Sequence, residues 1–482
     1  MSNRNRKPSL SQLSISFACL LTLLTLLSAC QQNGTPPLAT STKSQPTPQN
    51  GESDPTPFPT ETIEPMPTRF IDLGIAELEN VSIEFWHVWS GSLGDVLQQF
   101  VDEFNAANEY GISVTAVFQG DISQRVGNAI GRGEPPNLVV NVSSQALAWG
   151  VNGSAITDLN AYVDDPIYGL SAGERADFYP VIWGQDVVGE KRLGIPMYRT
   201  SQLILYNATW ARELGFEAPP NTQQAFREQA CAAAQANNAD DDPENDGTGG
   251  WFVSTNPSAI ISWIFAFGGE VVTTSEYTFD VPETLEAFSF LKDLVDSGCA
   301  WQPEDAYPHA EFATRGGVLF SSSISRLGIQ ASEFAKAGNG DEWMAIPYPS
   351  TEGEPIVTVS GPAYIVLNAT PEQQLASWIF IKWLISPENQ ARWAQASGFF
   401  PTRAAAFLHL ESYAAENPQW ASFREFLPVG KSEPQLASWG AVRWVVNDAA
   451  AELFWPGFSP ETLPTLIEQL DATAAEVHRA VP

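Results

Sequence analysis

The chain has 482 residues and a formal net charge of −32, with 24 Lys and Arg against 56 Asp and Glu. That balance excludes nucleic acid as a partner, because phosphate capture needs clustered cations, and it gives no long-range attraction to anionic solutes. Hydrophobic residues make up 44% and Trp numbers 16, so core material is ample; the stretch from Val81 to Pro482 exceeds the roughly 250–300 residues one core sustains, and two lobes are expected.

Arg4, Arg6 and Lys7 precede an apolar run from Phe17 to Leu27, the layout of an export signal. The run is too short for a membrane span, which takes about 20 helical residues. Leu27-Ser28-Ala29-Cys30 resembles the lipobox of bacterial lipoproteins. The resemblance implies loss of residues 1–29, a lipid on the Cys30 sulfur, and a protein anchored outside the cytoplasmic membrane. Residues 30–78 read as a tether: Pro46, Pro48, Pro55, Pro57, Pro59, Pro65 and Pro67 stiffen a stretch too polar to bury a core.

Val81 to Trp86 reads as a strand, Leu93 to Phe104 as a helix, Ile112 to Gln119 as a strand, Val126 to Ile130 as part of a short helix and Leu138 to Val142 as a buried strand. This β-α-β-α-β order predicts a parallel sheet with helical crossovers. Ser201 to Tyr206 follows as a strand, Thr209 to Leu214 as a helix, and Trp251 to Thr255 as a strand. Ser258 to Phe267 and Glu283 to Ser297 are helical, and Gly317 to Phe320 is a strand rising into Ser321-Ser322-Ser323. Ala363 to Leu367 is a buried strand and Gln373 to Ile385 an amphipathic helix. Ser386, Pro387 and Glu388 then restart a helix as N-cap, first residue and first-turn acid, with Gly398 closing it. Pro460 to Ala480 is helical.

With Cys19 in the signal and Cys30 taken by lipid, Cys231 and Cys299 remain in an oxidising compartment; a disulfide between them is expected, with two separate buried thiols as the alternative. Asp242, Glu244 and Asp246, followed by Gly247, match the first half of a calcium loop. Val253 stands where such a loop places its bidentate Glu, so a solvated acidic turn competes with calcium as the only cofactor candidate. His87, His309, His409 and His478 are not at metal-ligand spacing.

Four segments carry a family likeness: Phe85-Trp86-His87-Val88-Trp89-Ser90-Gly91; Gly194-Ile195-Pro196 through Leu205-Tyr206-Asn207; Phe312 to Val318; and Ser386 to Gln390 with Gly398 to Arg403. Together they resemble the family 1 extracellular solute-binding proteins, lipoproteins of bacterial carbohydrate ABC importers, similar in layout to maltose-binding protein. The resemblance implies an α/β fold of the two-lobe type II periplasmic-binding-protein kind, with mixed sheets flanked by helices and a ligand cleft between the lobes. The first lobe is expected at 79–198 and 357–407, the second at 199–356 and 408–482. It also implies a carbohydrate ligand, membrane permease subunits as partners, a monomer, and closure of the lobes by hinging. Ser360-Gly361-Pro362-Ala363 departs from the glycine pair frequent in the family, and Pro362 stiffens that loop.

Sugars present apolar C–H faces and rings of hydroxyls, so a site for them needs aromatic platforms plus paired donors and acceptors. Ligands in open α/β sheets sit at the carboxyl ends of strands. That rule selects Trp89 and Ser90, then Gln119 and Asp121, then Ser143, with Tyr198 and Arg199 at the crossover, Ser321 and Arg326 after a later strand, Ser360 and Gly361 beside the return, and Arg403 after the proline loop. Arg199 is also read as an interlobe ion pair. The family's stacking aromatic points to Trp439, within the group Trp439, Arg443 and Trp444. An enzyme is not expected: no Gly-x-Ser-x-Gly elbow, phosphate loop or His-Glu-x-x-His motif is present. The remaining alternatives are the same fold binding a polyamine, iron or polyol phosphate, or serving as a tethered sensor or adhesin.

Overall fold

The computed structural model describes residues 70–150 and 155–481. The expected signal, Cys30 and all but the last residues of the expected tether lie outside the described residues. The strands, in chain order, are β1 (Ser82–His87), β2 (Ser113–Phe118), β3 (Leu138–Asn141), β4 (Val187–Val188), β5 (Lys191–Arg192), β6 (Ile195–Pro196) and β7 (Thr200–Asn207). They continue with β8 (Gly249–Phe252), β9 (Ala300–Trp301), β10 (Gly317–Ser323), β11 (Trp343–Ile346), β12 (Thr358–Ser360), β13 (Ala363–Val366) and β14 (Lys431–Ser432).

Alternation in the first strand places Ile83, Phe85 and His87 inside and Ser82 and Glu84 outside. The helix Gly91–Ala107 answers with Leu97, Phe100, Val101 and Phe104 at helical spacing. β1 pairs in parallel with β2 and β3, and the five-stranded sheet runs β2-β1-β3-β13-β6. β13 enters antiparallel between β3 and β6. The first core fills around Phe85, Phe104, Trp378 and Phe380. Ser386 caps the helix Pro387–Ser397 by accepting from the Asn389 amide, and Gly398 closes it at φ 74°.

The second sheet runs β14-β12-β7-β10-β8-β9, with β11 pairing the far half of β7. Trp251, Trp263 and Phe226 meet edge-on on one face of it. Cys231, on the helix Gln223–Ala239, is bonded to Cys299 just before β9, closing a separation of 68 residues.

The chain passes between the sheets at Met197–Arg199 and again at Gly361–Pro362. β12 pairs with β7, so residues 358–360 belong to the second sheet and the return falls beyond the 357 boundary expected from sequence. The two passages touch: Met197 N donates to Pro362 O at 3.0 Å. Gly361 leaves no room for a side chain, because a Cβ there would stand 2.4 Å from the Tyr198 carbonyl oxygen. Phe400, Phe407 and Trp420 join Leu205, Phe252 and Phe320 in one cluster with Ala391 and Ala394. The stretch 387–407, placed in the first lobe by sequence, therefore packs on the second sheet as well.

Candidate functional site

A cleft of about 890 Å3 lies where the carboxyl ends of the second sheet's parallel strands meet the first sheet's edge. Its size suits a small solute. After β8 come Ser254, Thr255, Asn256 and Ser258; after β9 come Gln302, Glu304, Asp305 and Tyr307; the end of β10 brings Ser321, Ser322, Ser323 and, beyond it, Arg326. Tyr198, Pro362 and Phe399 close the other side.

The polar groups are held from behind. Glu433, buried, accepts from the Ser258 hydroxyl and from Trp439 Nε1 at 2.8 Å, and lies 3.8 Å from Arg443 Nε. Arg443 Nη2 donates to Ser258 Oγ at 3.1 Å, and Asn447 Nδ2 to the Thr255 carbonyl at 2.9 Å. The Arg326 guanidinium sits 4.7 Å over the Tyr307 ring. Thr200 Oγ1, on the lining, is buried with no hydrogen-bond partner among the described residues. Tyr198 and Phe399 stack at 4.0 Å and 14°. Burial pushes the Tyr198 hydroxyl up, with Arg199 pulling the other way, so it stays a neutral phenol at working pH.

Of the residues selected from sequence, Tyr198, Ser321, Arg326, Ser360 and Gly361 line this cleft. The others do not. Trp89 stands behind Tyr198 (6.2 Å) and edge-on to Trp393 (5.0 Å), as backing. Ser90 and Asp121 occupy the N-cap positions of the helices Gly91–Ala107 and Ile122–Arg132, and Gln119 lies between β2 and Asp121. Ser143 is buried and donates to Asp186 Oδ1 at 2.5 Å. Arg199 is 0% exposed and paired with Asp186 at 2.7 Å; Arg403 is buried against Asp177 at 2.8 Å. Neither guanidinium is free to fork a ligand.

Trp439 is only 3% exposed, while Trp444 is 68% exposed and on the lining. The helix Trp439–Leu453 explains the exchange. Trp439, Val442, Val446, Ala450 and Leu453 form its buried stripe, and Gly440, Arg443, Trp444 and Asn447, at i, i+3, i+4 and i+7, form the stripe facing the cleft. That spacing is present in the sequence. The loop Gln302–Tyr307 carried no comparable signal.

Asp242, Glu244 and Asp246 do not converge. Asp240 and Asp242 accept backbone amides two residues on, from Asp242 and Glu244, which is turn chemistry. Among the described residues, no three His, Cys, Asp or Glu side chains are gathered to hold a metal. Among the described residues, no histidine or cysteine lines the cleft.

Residues 99–421 match the family described as bacterial extracellular solute-binding protein. The chain is 23% identical over 351 residues to the sn-glycerol-3-phosphate-binding periplasmic protein UgpB of Salmonella typhimurium, covering 70% of this chain and 78% of that one. UgpB of Escherichia coli K12 is 24% identical over 354 residues, with the same coverage. Among solved structures, a cyclic alpha-maltosyl-1,6-maltose binding protein from Arthrobacter globiformis superposes with a TM-score of 0.70 at 18% identity, over 83% of this chain and 99% of that one. UgpB from Mycobacterium tuberculosis, in complex with glycerophosphocholine, gives 0.65 at 18%, over 83% and 99%.

Proposed function

Because the chain belongs to the bacterial extracellular solute-binding protein family, we propose that it is the receptor of an ABC importer and that its cleft captures a sugar or oligosaccharide without chemical change. The observation that carries this is the lining itself. Hydroxyl, amide and guanidinium groups from Ser258, Ser321, Asn447, Arg326 and Arg443 surround aromatic surfaces at Trp444, Tyr307 and the Tyr198–Phe399 stack. This is the pairing of platform and hydrogen-bonding groups that sugars require. Catalysis has no support: Glu304 and Asp305, the lining's carboxylates, are neighbours on one loop and cannot flank a glycosidic bond from opposite faces. The Cys30 lipid would hold a monomeric receptor beside its permease.

A second reading, a phosphorylated polyol, rests on Arg326 and Arg443 in a chain otherwise so acidic, and on the names of its UgpB relatives. A thermal-shift screen separates the two. The panel holds glucose, galactose, xylose, maltose, sn-glycerol-3-phosphate, glycerophosphocholine and spermidine. A ligand at a hundredfold excess over its Kd stabilises the native state by about 2.7 kcal/mol. A rise with a sugar supports the first reading. A rise with the phosphates alone selects the second, and one with spermidine alone overturns both.

A further inference from the structure

The cleft's two walls differ in kind, and the difference continues beyond it. The lining from the second sheet is mostly Ser, Thr, Asn, Gln, Glu, Asp and Arg, whereas the first sheet's side offers Tyr198 and Pro362, with Phe399 stacked on Tyr198. Tyr198 follows β6 and Pro362 precedes the antiparallel β13, so both stand on the edge where β1, β2 and β3 end. At or one residue past those three ends stand Val88, Phe118 and Val142, which are 40%, 52% and 41% exposed. Of thirteen exposed large hydrophobic side chains among the described residues, these three share one sheet edge, and Tyr307 and Trp444 are on the cleft lining. Polar Ser90, Gln119 and Asp121 come one to three positions further along the loops and leave the edge itself apolar.

The edge has a measurable reach. Strands lie about 4.8 Å apart, so Val142, two strands from β6, stands about 10 Å along the edge from Tyr198, and Phe118, four strands away, about 19 Å. The helix Ser143–Gly150, which follows Val142, approaches the helix Trp439–Leu453 that carries Trp444. The element that follows Val142 and the element that carries Trp444 are therefore neighbours. The apolar edge is a shelf whose chemistry is not that of a complete second sugar subsite: Val88, Val142 and the Phe118 ring bring no donor or acceptor for a ring of hydroxyls, while they cover alkyl or aryl groups well.

We propose that the solute is a glycoside with an apolar aglycone, its sugar held against the Ser, Asn and Arg wall and its alkyl or aryl group lying along Val142, Val88 and Phe118. The proposal rests on the sugar reading above. It is tested by calorimetric titration of the purified protein with methyl, phenyl and hexyl glycosides of glucose, galactose and xylose. For any sugar bound as its methyl glycoside, the phenyl or hexyl form is expected to bind at least about tenfold more tightly, the effect of burying two methylene groups. The double variant Phe118→Ser/Val142→Ser changes exposed positions and should keep its unliganded melting midpoint. It should lose that gain while binding the methyl glycoside within about twofold of the parent. If methyl, phenyl and hexyl forms bind alike, the shelf is overturned and the sugar reading stands. If the double variant loses the methyl glycoside equally, the shelf is again overturned. If no glycoside binds while sn-glycerol-3-phosphate does, the sugar reading falls and takes this inference with it.

Discussion

Removing the Asp186 carboxylate would strand a cation in the middle of the protein. Arg199 is fully buried at the first passage between the sheets, and Asp186 is 1% exposed. Nη2 meets Oδ2 at 2.7 Å, while Nη1 donates to the carbonyls of Tyr198 (2.9 Å) and Pro362 (3.0 Å), one on each passage. The other Asp186 oxygen accepts from Ser143. Breaking a buried pair by deleting one partner costs about 3–5 kcal/mol, because the remaining charge cannot be solvated. The three backbone acceptors left to Arg199, the carbonyls of Tyr198, Pro362 and Ile182, place Asp186→Ala near the lower end, about 3 kcal/mol. Equilibrium urea unfolding followed by Trp fluorescence measures it. The double variant Asp186→Leu/Arg199→Met removes both charges and should recover most of the loss, because an apolar pair of similar volume often matches a buried ion pair. A loss below about 1 kcal/mol in Asp186→Ala, or a double variant as weak as the single, would refute the assignment of Arg199 as a structural cation.

The two tryptophans of the helix Trp439–Leu453 should separate cleanly. Trp439→Ala should destabilise by about 3–5 kcal/mol through the cavity it leaves, whereas Trp444→Ala should leave the urea midpoint in place and weaken sugar binding in titration; equal behaviour of the two would contradict the stripe assignment. Cys231→Ser/Cys299→Ser should lower stability by about 4 kcal/mol, the loop-closure value for a separation of 68 residues, read as a shift in urea midpoint that reductant reproduces in the parent protein. Burial holds His87 and His309 below the ordinary value of 6.5 despite opposing hydrogen bonds. Below pH 6.5 the unfolded chain takes up protons that the folded one refuses, so stability should fall as pH drops from 6.5 towards the folded values. His87→Phe should shallow that slope between pH 7 and 5, and identical slopes would count against a neutral buried His87.

The parallel start of the first sheet was readable because its strands alternate and its helix repeats at 3.6, and the Ser386–Pro387 start with Gly398 as stop behaved as local chemistry dictates. Local chemistry stops short of partners. Arg199, after a strand, and Arg403, after the proline loop, sit where ligand-binding residues are expected, but their carboxylates lie 13 and 226 positions away in sequence. Ser143 was hidden in the same way by Asp186. Trp439 differs: the helical periodicity that separates it from Trp444 is present in the sequence, and the family likeness points the other way. Gln302 to Tyr307 follow a two-residue strand whose place beside β8 depends on tertiary pairing, so no window of sequence could have marked them.

Unequal walls also divide the binding event in time. The second sheet carries nearly all the hydrogen-bonding groups of the cleft, so a solute can dock there while the first sheet's edge stands off. Encounter would then be governed by the polar wall and its orientation. Escape would be governed by the stacked Tyr198 and Phe399 and the apolar edge beside them, once they cover the bound solute. Substitutions on the first side should therefore leave association rates near the parent's and shorten residence. A receptor built this way can change how long it holds its cargo without changing how fast it finds it.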